Sequence, residues 1–109
     1  MIEKVTALAR QKKVMVIHDG DHTAQAVLRD LRLYAPFVTP GMYLIVEDGV
    51  IDILNPKYCK LAKAYPDGGP LKALREFFDE AKDRFEMDMR RERFVLTVNP
   101  NGYLKRKTI

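Results

Sequence analysis

The sequence predicts one α/β domain, in which helices alternate with the strands of a largely parallel sheet. Two observations carry this prediction. Short apolar runs rich in β-branched residues recur along the chain, and amphipathic segments with helical periodicity lie between them. The length of 109 residues fits a single domain and allows one hydrophobic core.

The helices are predicted from apolar residues that recur at spacings of three and four. The first helix is predicted over Met1–Lys12, the second over Ala24–Tyr34 and the third over Pro70–Phe85. Asp21 or Thr23 is expected to cap the second helix, and the proline suits the first position of the third. Between the second strand and the third helix the pattern blurs, with at most a short helical turn near Cys59.

The strands are predicted at Val14–Ile17, Met42–Val46, Phe94–Val98 and Tyr103–Arg106. The first is apolar throughout, which is typical of a strand buried on both faces in a parallel sheet. The last two flank an Asn-Gly turn signal and are expected to form an antiparallel hairpin. The resulting order is α-β-α-β-α-β-β, with right-handed crossovers between the parallel strands.

Composition narrows the class of protein further. With 47% hydrophobic and 31% charged residues, the chain is typical of a folded globular protein. No apolar run approaches the roughly 20 residues of a membrane span, and Met1–Lys13 lacks the apolar core of a signal peptide. The single cysteine, Cys59, excludes an internal disulfide and favours a cytoplasmic location. The net charge of +4 comes from basic residues at both ends, whereas a nucleic-acid binder would usually concentrate the charge more and interleave aromatic residues with it, so a nucleic-acid partner is disfavoured.

Acidic residues follow the first two predicted strands. Asp19 and Asp21 come after the first strand, and Glu47 and Asp48 come after the second. Ligands of open α/β sheets bind beyond the carboxyl ends of the strands, so these four carboxylates are expected to converge there. Such a cluster favours a hard cation such as Mg²⁺, and a carboxylate left free could act as a general base. The alternative is that these residues only form turns and helix caps.

Other candidate sites are weaker. His18 and His22 with a carboxylate would suit non-haem iron, but their side chains are expected to diverge. The segment Gly68–Pro70 could form a phosphate-binding nest at a helix start, although three residues carry little specificity. The sequence contains neither a G-x-G-x-x-G motif nor a P-loop.

Several segments together resemble the cephalosporin hydroxylase / rhamnosyl O-methyltransferase family. They are Val14–His22, Tyr34–Asp48, Gly69-Pro70 and Asn99–Arg106. The resemblance implies a Rossmann-like class I methyltransferase sheet, S-adenosylmethionine as methyl donor and a Mg²⁺-assisted transfer to a hydroxyl of a sugar or secondary metabolite. It also implies Asp19, Asp21, Glu47 and Asp48 as metal ligands. Asp21 would be the catalytic base, or Asp19 if the two roles are reversed.

The chain departs from the family pattern in ways that shape the expected function. It resembles only the C-terminal half, and the family's glycine-rich, cofactor-binding half has no counterpart in it. His18 and Gly20 stand where the family more often has an apolar residue and a serine. We therefore expect no cofactor-binding residue within this chain, which would act as a truncated or split methyltransferase.

Two other functions remain open. One is a non-catalytic, dimeric binding or scaffold module that keeps the fold. The other is a small α/β protein that handles a phosphorylated ligand through Mg²⁺. In either the scaffold or the split enzyme, the exposed edge of the strand at residues 14–18 is expected to find a partner. That partner would be a second copy of the chain, or a separate chain that supplies the missing half.

Overall fold

The computed structural model describes residues 1–92 and 97–108. Its helices are α1 (Ile2–Ala9), α2 (Ala24–Tyr34), α3 (Lys60–Lys63) and α4 (Pro70–Ala81). Its strands are β1 (Val16–His18), β2 (Tyr43–Val46), β3 (Phe85–Met87) and β4 (Tyr103–Arg106). Short 3₁₀ turns lie at Ala35–Phe37, Gly49–Asp52 and Met89–Arg91. Within these ranges no helix is both long enough and apolar enough to cross a membrane.

The four strands form one mixed sheet in the order β1-β2-β4-β3. Strands β1 and β2 are parallel, with Ile17 opposite Ile45. Strand β4 runs antiparallel to both of its neighbours, β2 and β3. The α/β fold class, the parallel first pair and the antiparallel last strand are therefore confirmed.

The hydrophobic core lies between one face of the sheet and the helices α2 and α4. Each helix contributes an apolar stripe, and alternate residues of β2 point into the core because side chains alternate along a strand. The buried residues are Val27, Leu31, Ala35, Val38, Leu44, Val46, Leu71, Ala73, Leu74, Phe77, Ala81, Phe85 and Leu104. Thr23 is the N-cap of helix α2, because its hydroxyl accepts the amide N–H of Ala26.

Strand β1 lies at the edge of the sheet and is less buried than its sequence predicts. It begins at Val16, two residues later than expected, and Ile17 is 52% exposed. The prediction of burial on both faces is wrong for this strand, because no described element covers the face that carries Ile17. Helix α1, which precedes it, has no buried residue.

The third long helix is shorter than predicted. It ends at Ala81, and Phe85, predicted as its last residue, begins β3. Phe85 lies four residues after Ala81, a spacing that fits a continuing helix as well as a new strand. Phe85 belongs to a strand because it pairs with β4. It is also buried beside the ring of Phe77, at a centroid distance of 6.0 Å.

The predicted terminal hairpin is only partly tested. Of the predicted strand Phe94–Val98, residues 94–96 lie outside the described residues, and Thr97 and Val98 are not in a strand. The turn signal itself is confirmed, because the amide of Gly102 donates to the carbonyl of Asn99 at 3.0 Å. The strand that follows this turn, β4, pairs with β2 and β3.

Candidate functional site

Three side chains converge beyond the carboxyl ends of β1 and β2. The Nε2 atom of His22 lies 3.2 Å from an oxygen of Asp48 and 3.9 Å from an oxygen of Asp19. One ligand atom from each residue lies within 4.8 Å of the other two. We refer to these three residues as the Asp-His-Asp cluster.

The parallel register of the sheet brings these residues together. His18 pairs with Val46 at the ends of the two strands, and the amide of Glu47 extends the ladder by donating to the carbonyl of His18 at 3.1 Å. The residues that follow each strand therefore leave the sheet side by side. Asp19 and Asp48 are the first residues after the two strands whose side chains approach each other.

The backbone of Asp48 is held in an uncommon conformation. Its φ of 60° lies in the left-handed region, where non-glycine residues are rare and aspartate is among the better tolerated. The amide of Asp48 donates to Oδ1 of Asn99 at 3.0 Å, and Nδ2 of Asn99 donates in turn to the hydroxyl of Tyr103 at 3.1 Å. The loop before β4 thus fixes the direction in which the Asp48 side chain points.

Two of the four predicted metal ligands belong to the cluster. Asp19 and Asp48 are brought together, whereas Glu47 and Asp21 are not part of the group. Asp21 instead accepts the amide N–H of Thr23 at 2.9 Å, which is an Asx-type turn before α2. This hydrogen bond from Thr23 lowers the pKa of Asp21 below its ordinary value, so its carboxylate is a weaker base. Roles for Glu47 and Asp21 stay predictions.

His22 is the member of the cluster that the sequence indicated only weakly, as a partner of His18 in an iron site. Its position three residues after Asp19 is a spacing that a turn can close, and this was the available signal. The side chain of His22 is 19% exposed, against 60% for Asp19 and 39% for Asp48. Its ring also contacts Tyr65 edge-on, and its Nδ1 atom is buried without a hydrogen-bond partner among the described residues.

The expected divergence of the two histidines is confirmed. His18 is buried, and its Nε2 atom lies 3.0 Å from Oδ2 of Asp30 on α2. Asp30 also pairs with the neighbouring Arg29 at 3.2 Å. Because His18 and His22 have different partners, they do not form a shared two-histidine iron site.

The start of α4 is occupied by a side chain of the chain itself. The carboxylate of Asp52 accepts the amides of Gly69, Leu71 and Lys72 at 2.6, 2.7 and 3.1 Å. These are the free N–H groups that a phosphate would use at a helix N-terminus. The weak phosphate-nest prediction for Gly68–Pro70 therefore gives way to an internal helix cap.

The chemistry open to the Asp-His-Asp cluster follows from its donor atoms. Two partly exposed carboxylates and one imidazole can hold a divalent cation, or, without a cation, the imidazole can accept a proton from a bound hydroxyl. Carboxylates this close to one another repel unless a positive charge lies between them, which favours occupation by a cation or by a protonated group.

Comparison with known proteins shows the family of the chain. The family model for rhamnosyl O-methyltransferase/CmcI matches residues 1–107. The chain belongs to this family. It is 33% identical over 98 residues to a rhamnosyl O-methyltransferase of Mycobacterium leprae, a match that covers 87% of this chain. It is 35% identical over 95 residues to the rhamnosyl O-methyltransferase of Mycobacterium bovis (strain BCG / Pasteur 1173P2), with 86% of this chain covered.

Membership of the rhamnosyl O-methyltransferase/CmcI family confirms the resemblance seen in the sequence. The chain spans 39% of the length of the M. leprae relative and 36% of that of the M. bovis relative. No solved structure matches the chain significantly.

Proposed function

We propose that this chain carries the acceptor-activating part of an S-adenosylmethionine-dependent O-methyltransferase, with the Asp-His-Asp cluster as its divalent cation site. The observation that carries the proposal is the convergence of Asp19, His22 and Asp48 at the carboxyl ends of two parallel strands. Family membership supplies the reaction class, and the position of the cluster agrees with where α/β sheets bind ligands.

The residues present fit a small divalent cation. An octahedral Mg²⁺ holds oxygens at about 2.1 Å, which places neighbouring ligand atoms about 3 Å apart. The 3.2 Å between His22 and Asp48 is close to that separation, and the exposed Asp19 is free to move the remaining distance. A nitrogen ligand suits Mn²⁺ or a related ion as well as Mg²⁺. When bound, the cation would lower the pKa of an acceptor hydroxyl and orient it.

Methyl transfer requires that the acceptor lose a proton as it attacks. The hydroxyl oxygen forms a bond to the methyl carbon, the carbon–sulfur bond breaks, and the electron pair leaves with the neutral thioether. The O–H proton passes to a base on the enzyme. The Nε2 atom of His22 faces the two carboxylates and would hold the cation, so it cannot also take this proton, and the base is a group outside the cluster.

We propose Asp21 as the base, as the family resemblance implies. Its carboxylate is exposed and uses one oxygen for the turn at Thr23, which leaves the other oxygen to accept the proton. Because this turn lowers the pKa of Asp21, its carboxylate is a weak base, which suits an acceptor hydroxyl whose own pKa the cation would lower. Replacing Asp21 and His22 separately distinguishes the two roles, because only the His22 variant should change the affinity for the cation.

We propose that the methyl donor is bound with residues beyond this chain. The chain covers less than two-fifths of its curated relatives, and it contains no glycine-rich turn of the kind that binds such cofactors. The acceptor is proposed to be a sugar hydroxyl, in keeping with the rhamnosyl group in the names of the relatives.

Isothermal titration of the purified chain tests the proposal, first with MnCl₂ or MgCl₂ and then with S-adenosylmethionine in the presence of the cation. We expect one cation per chain and an affinity lowered at least tenfold by Asp48→Asn, as ligand removal should cost at least as much as loss of an outer-shell contact. Asp79→Asn, an exposed residue of α4, is the matched control and should leave binding unchanged. Equal affinity of the Asp48→Asn and control variants would reject the site.

The alternative function is a non-catalytic binding or scaffold module. It is favoured by the small share of the relatives that this chain spans. A folded chain that binds neither cation nor S-adenosylmethionine would support this alternative over the enzyme. Cation binding without S-adenosylmethionine binding would support a split enzyme that needs a second polypeptide.

A further inference from the structure

A cleft lies between the start of α2 and the loop that joins α3 to α4. Its volume is about 460 Å³, within the usual range for sites that bind small molecules. One wall is the start of α2, and the other consists of residues 64–68 with Lys72 and Glu76 of α4. We refer to it as the Tyr65 cleft, after the aromatic residue in its wall. Its described lining residues all lie outside β1, so the cleft is separate from the free edge of the sheet.

The walls of the Tyr65 cleft are joined by hydrogen bonds within this chain. The amide of Ala24 donates to the carbonyl of Gly68 at 3.2 Å, which ties the loop to the start of α2. Nζ of Lys72 donates to the carbonyl of Asp67 at 2.9 Å. The aliphatic part of Lys72 leaves no room for a Cβ atom at Gly68, whose φ of 95° also favours glycine. Both walls therefore belong to this chain and are fixed to each other by it.

The Tyr65 cleft adjoins the Asp-His-Asp cluster. The ring of Tyr65 contacts the ring of His22 edge-on, at a centroid distance of 6.3 Å. Thr23, whose amide donates to the carboxylate of Asp21, also lines the cleft. A ligand in the cleft would therefore lie beside His22, a proposed cation ligand, and beside Asp21, the proposed base.

The side chains of the cleft suit a neutral ligand with both apolar and polar faces. The ring of Tyr65 offers an apolar surface for the C–H groups of a sugar, and the amide of Gln25 can donate and accept hydrogen bonds. The charged lining residues are Asp67, Glu76 and Lys72, so two carboxylates and one ammonium group give a net charge of −1. This charge disfavours a phosphorylated ligand, because like charges repel.

We propose that the Tyr65 cleft is the acceptor subsite, and that it takes a neutral sugar in preference to a phosphorylated one. This inference rests on the proposed methyltransferase function, which supplies the reaction. The ring of Tyr65 packs against the sugar, and Gln25 hydrogen-bonds its hydroxyl groups. The reacting hydroxyl faces the cation site and Asp21. Because the walls are already fixed to each other, little ordering is needed when the sugar binds.

Nuclear magnetic resonance of the ¹⁵N-labelled 109-residue chain tests this subsite in the absence of a cation. Methyl α-L-rhamnopyranoside is added up to 50 mM, because so small a ligand is expected to bind with a millimolar dissociation constant. We expect chemical-shift changes centred on the amides of Gln25, Tyr65 and Lys72. Changes centred elsewhere, or no changes, would overturn the proposal.

Substitution of Tyr65 tests the role of its ring. Tyr65→Ala should raise the dissociation constant of the sugar about fivefold or more, whereas Tyr65→Phe, which keeps the ring, should stay within about twofold of the wild type. Tyr58→Ala is the matched control, because Tyr58 is 79% exposed and lies outside the lining of the cleft. Circular dichroism verifies that the variants are folded. Equal affinity of the Tyr65→Ala and Tyr58→Ala variants would overturn the proposal.

A charged probe tests the preference for a neutral sugar. α-L-Rhamnose 1-phosphate should bind about threefold or more weakly than the methyl rhamnoside in 50 mM NaCl, and Glu76→Gln should narrow this difference. Asp79→Asn, also on α4 but outside the lining, should not narrow it. Equal or tighter binding of the phosphate to the wild type would overturn the preference. A chain that binds Mn²⁺ at the Asp-His-Asp cluster but no sugar in the cleft would overturn the subsite alone.

Discussion

The Nε2 atom of His22 lies 3.2 Å from the carboxylate of Asp48, although the two residues follow different strands. This contact joins the loops after β1 and β2 into one site. It also gives the site a nitrogen donor, which the four predicted carboxylates did not supply. The proposed chemistry depends on this pair together with Asp19.

Substitution of His22 tests its place in the cation site. His22→Ala should weaken Mn²⁺ binding about tenfold or more, because one of three protein ligands is lost and the two carboxylates repel each other. His22→Gln keeps a polar group near the site and should retain more affinity than alanine. Titration calorimetry of both variants measures the effect. An unchanged affinity for His22→Ala would show that the histidine does not bind the ion.

The cap on α4 should contribute measurably to stability. Asp52 accepts three backbone N–H groups at the start of this helix, so Asp52→Ala should lower the free energy of unfolding by about 1–3 kcal/mol. Urea denaturation at pH 7 measures the difference. Asp67→Ala is the control, because among the described residues Asp67 hydrogen-bonds only through its backbone carbonyl, which accepts from Nζ of Lys72. A loss of similar size in both variants would contradict a specific cap.

Asp88 should make the stability of the fold depend on acid pH. Its side chain is 2% exposed, and hydrogen bonds from Arg90 and Tyr43 hold its pKa well below the ordinary value. The unfolded chain titrates this group near pH 4, so its stabilising contribution is present above about pH 4 and is lost as the pH falls below it. Asp88→Asn should therefore destabilise the protein most at pH 7, and the difference should shrink toward pH 3.

Urea denaturation of wild type and Asp88→Asn at pH 7, 5 and 3 measures this dependence. Asp83→Asn, whose side chain is 78% exposed, serves as the control and should change stability little at neutral pH. A stability difference for Asp88→Asn that grows as the pH falls would contradict the stated direction.

Gly102 allows the loop before β4 to approach β2 closely. A Cβ atom at this position would collide with the carbonyl oxygen of Val46 and crowd Asn99, the residue that holds the Asp48 amide. Gly102→Ala should cost about 2–4 kcal/mol of unfolding free energy. Gly20→Ala adds a Cβ only at ordinary contact distance, 3.7 Å from His18, and should change stability little. Thermal denaturation of the two variants compares them, and equal melting temperatures would contradict this account.

The elements that carry strong periodicity could be predicted from sequence. The helix Ala24–Tyr34 was predicted with its observed bounds, and β2 and β4 within one residue, because their apolar patterns match one structure only. Strand β3 could not be found, since Phe85 continues the spacing of the preceding helix and the pairing with β4 is visible only in three dimensions.

The convergence of side chains could be predicted where it depended on strand ends and not where it depended on side-chain direction. Asp19 and Asp48 follow from the rule that ligands bind beyond parallel strands. Asp21 forms a turn with the amide of Thr23, while His22, the next residue along the chain, lies in the cluster. Local hydrogen bonding of this kind does not show in residue spacing.

Nuclear magnetic resonance with Mn²⁺ tests the central claim most directly, because a bound paramagnetic ion broadens the amide signals nearest to it. Substoichiometric MnCl₂ is added to the ¹⁵N-labelled chain, with the Asp48→Asn variant measured in parallel. We predict broadening centred on Asp19, His22 and Asp48 in the wild type and its loss in the variant. Broadening centred elsewhere, or broadening at these residues that persists in Asp48→Asn, would contradict the assignment of the Asp-His-Asp cluster as a cation site.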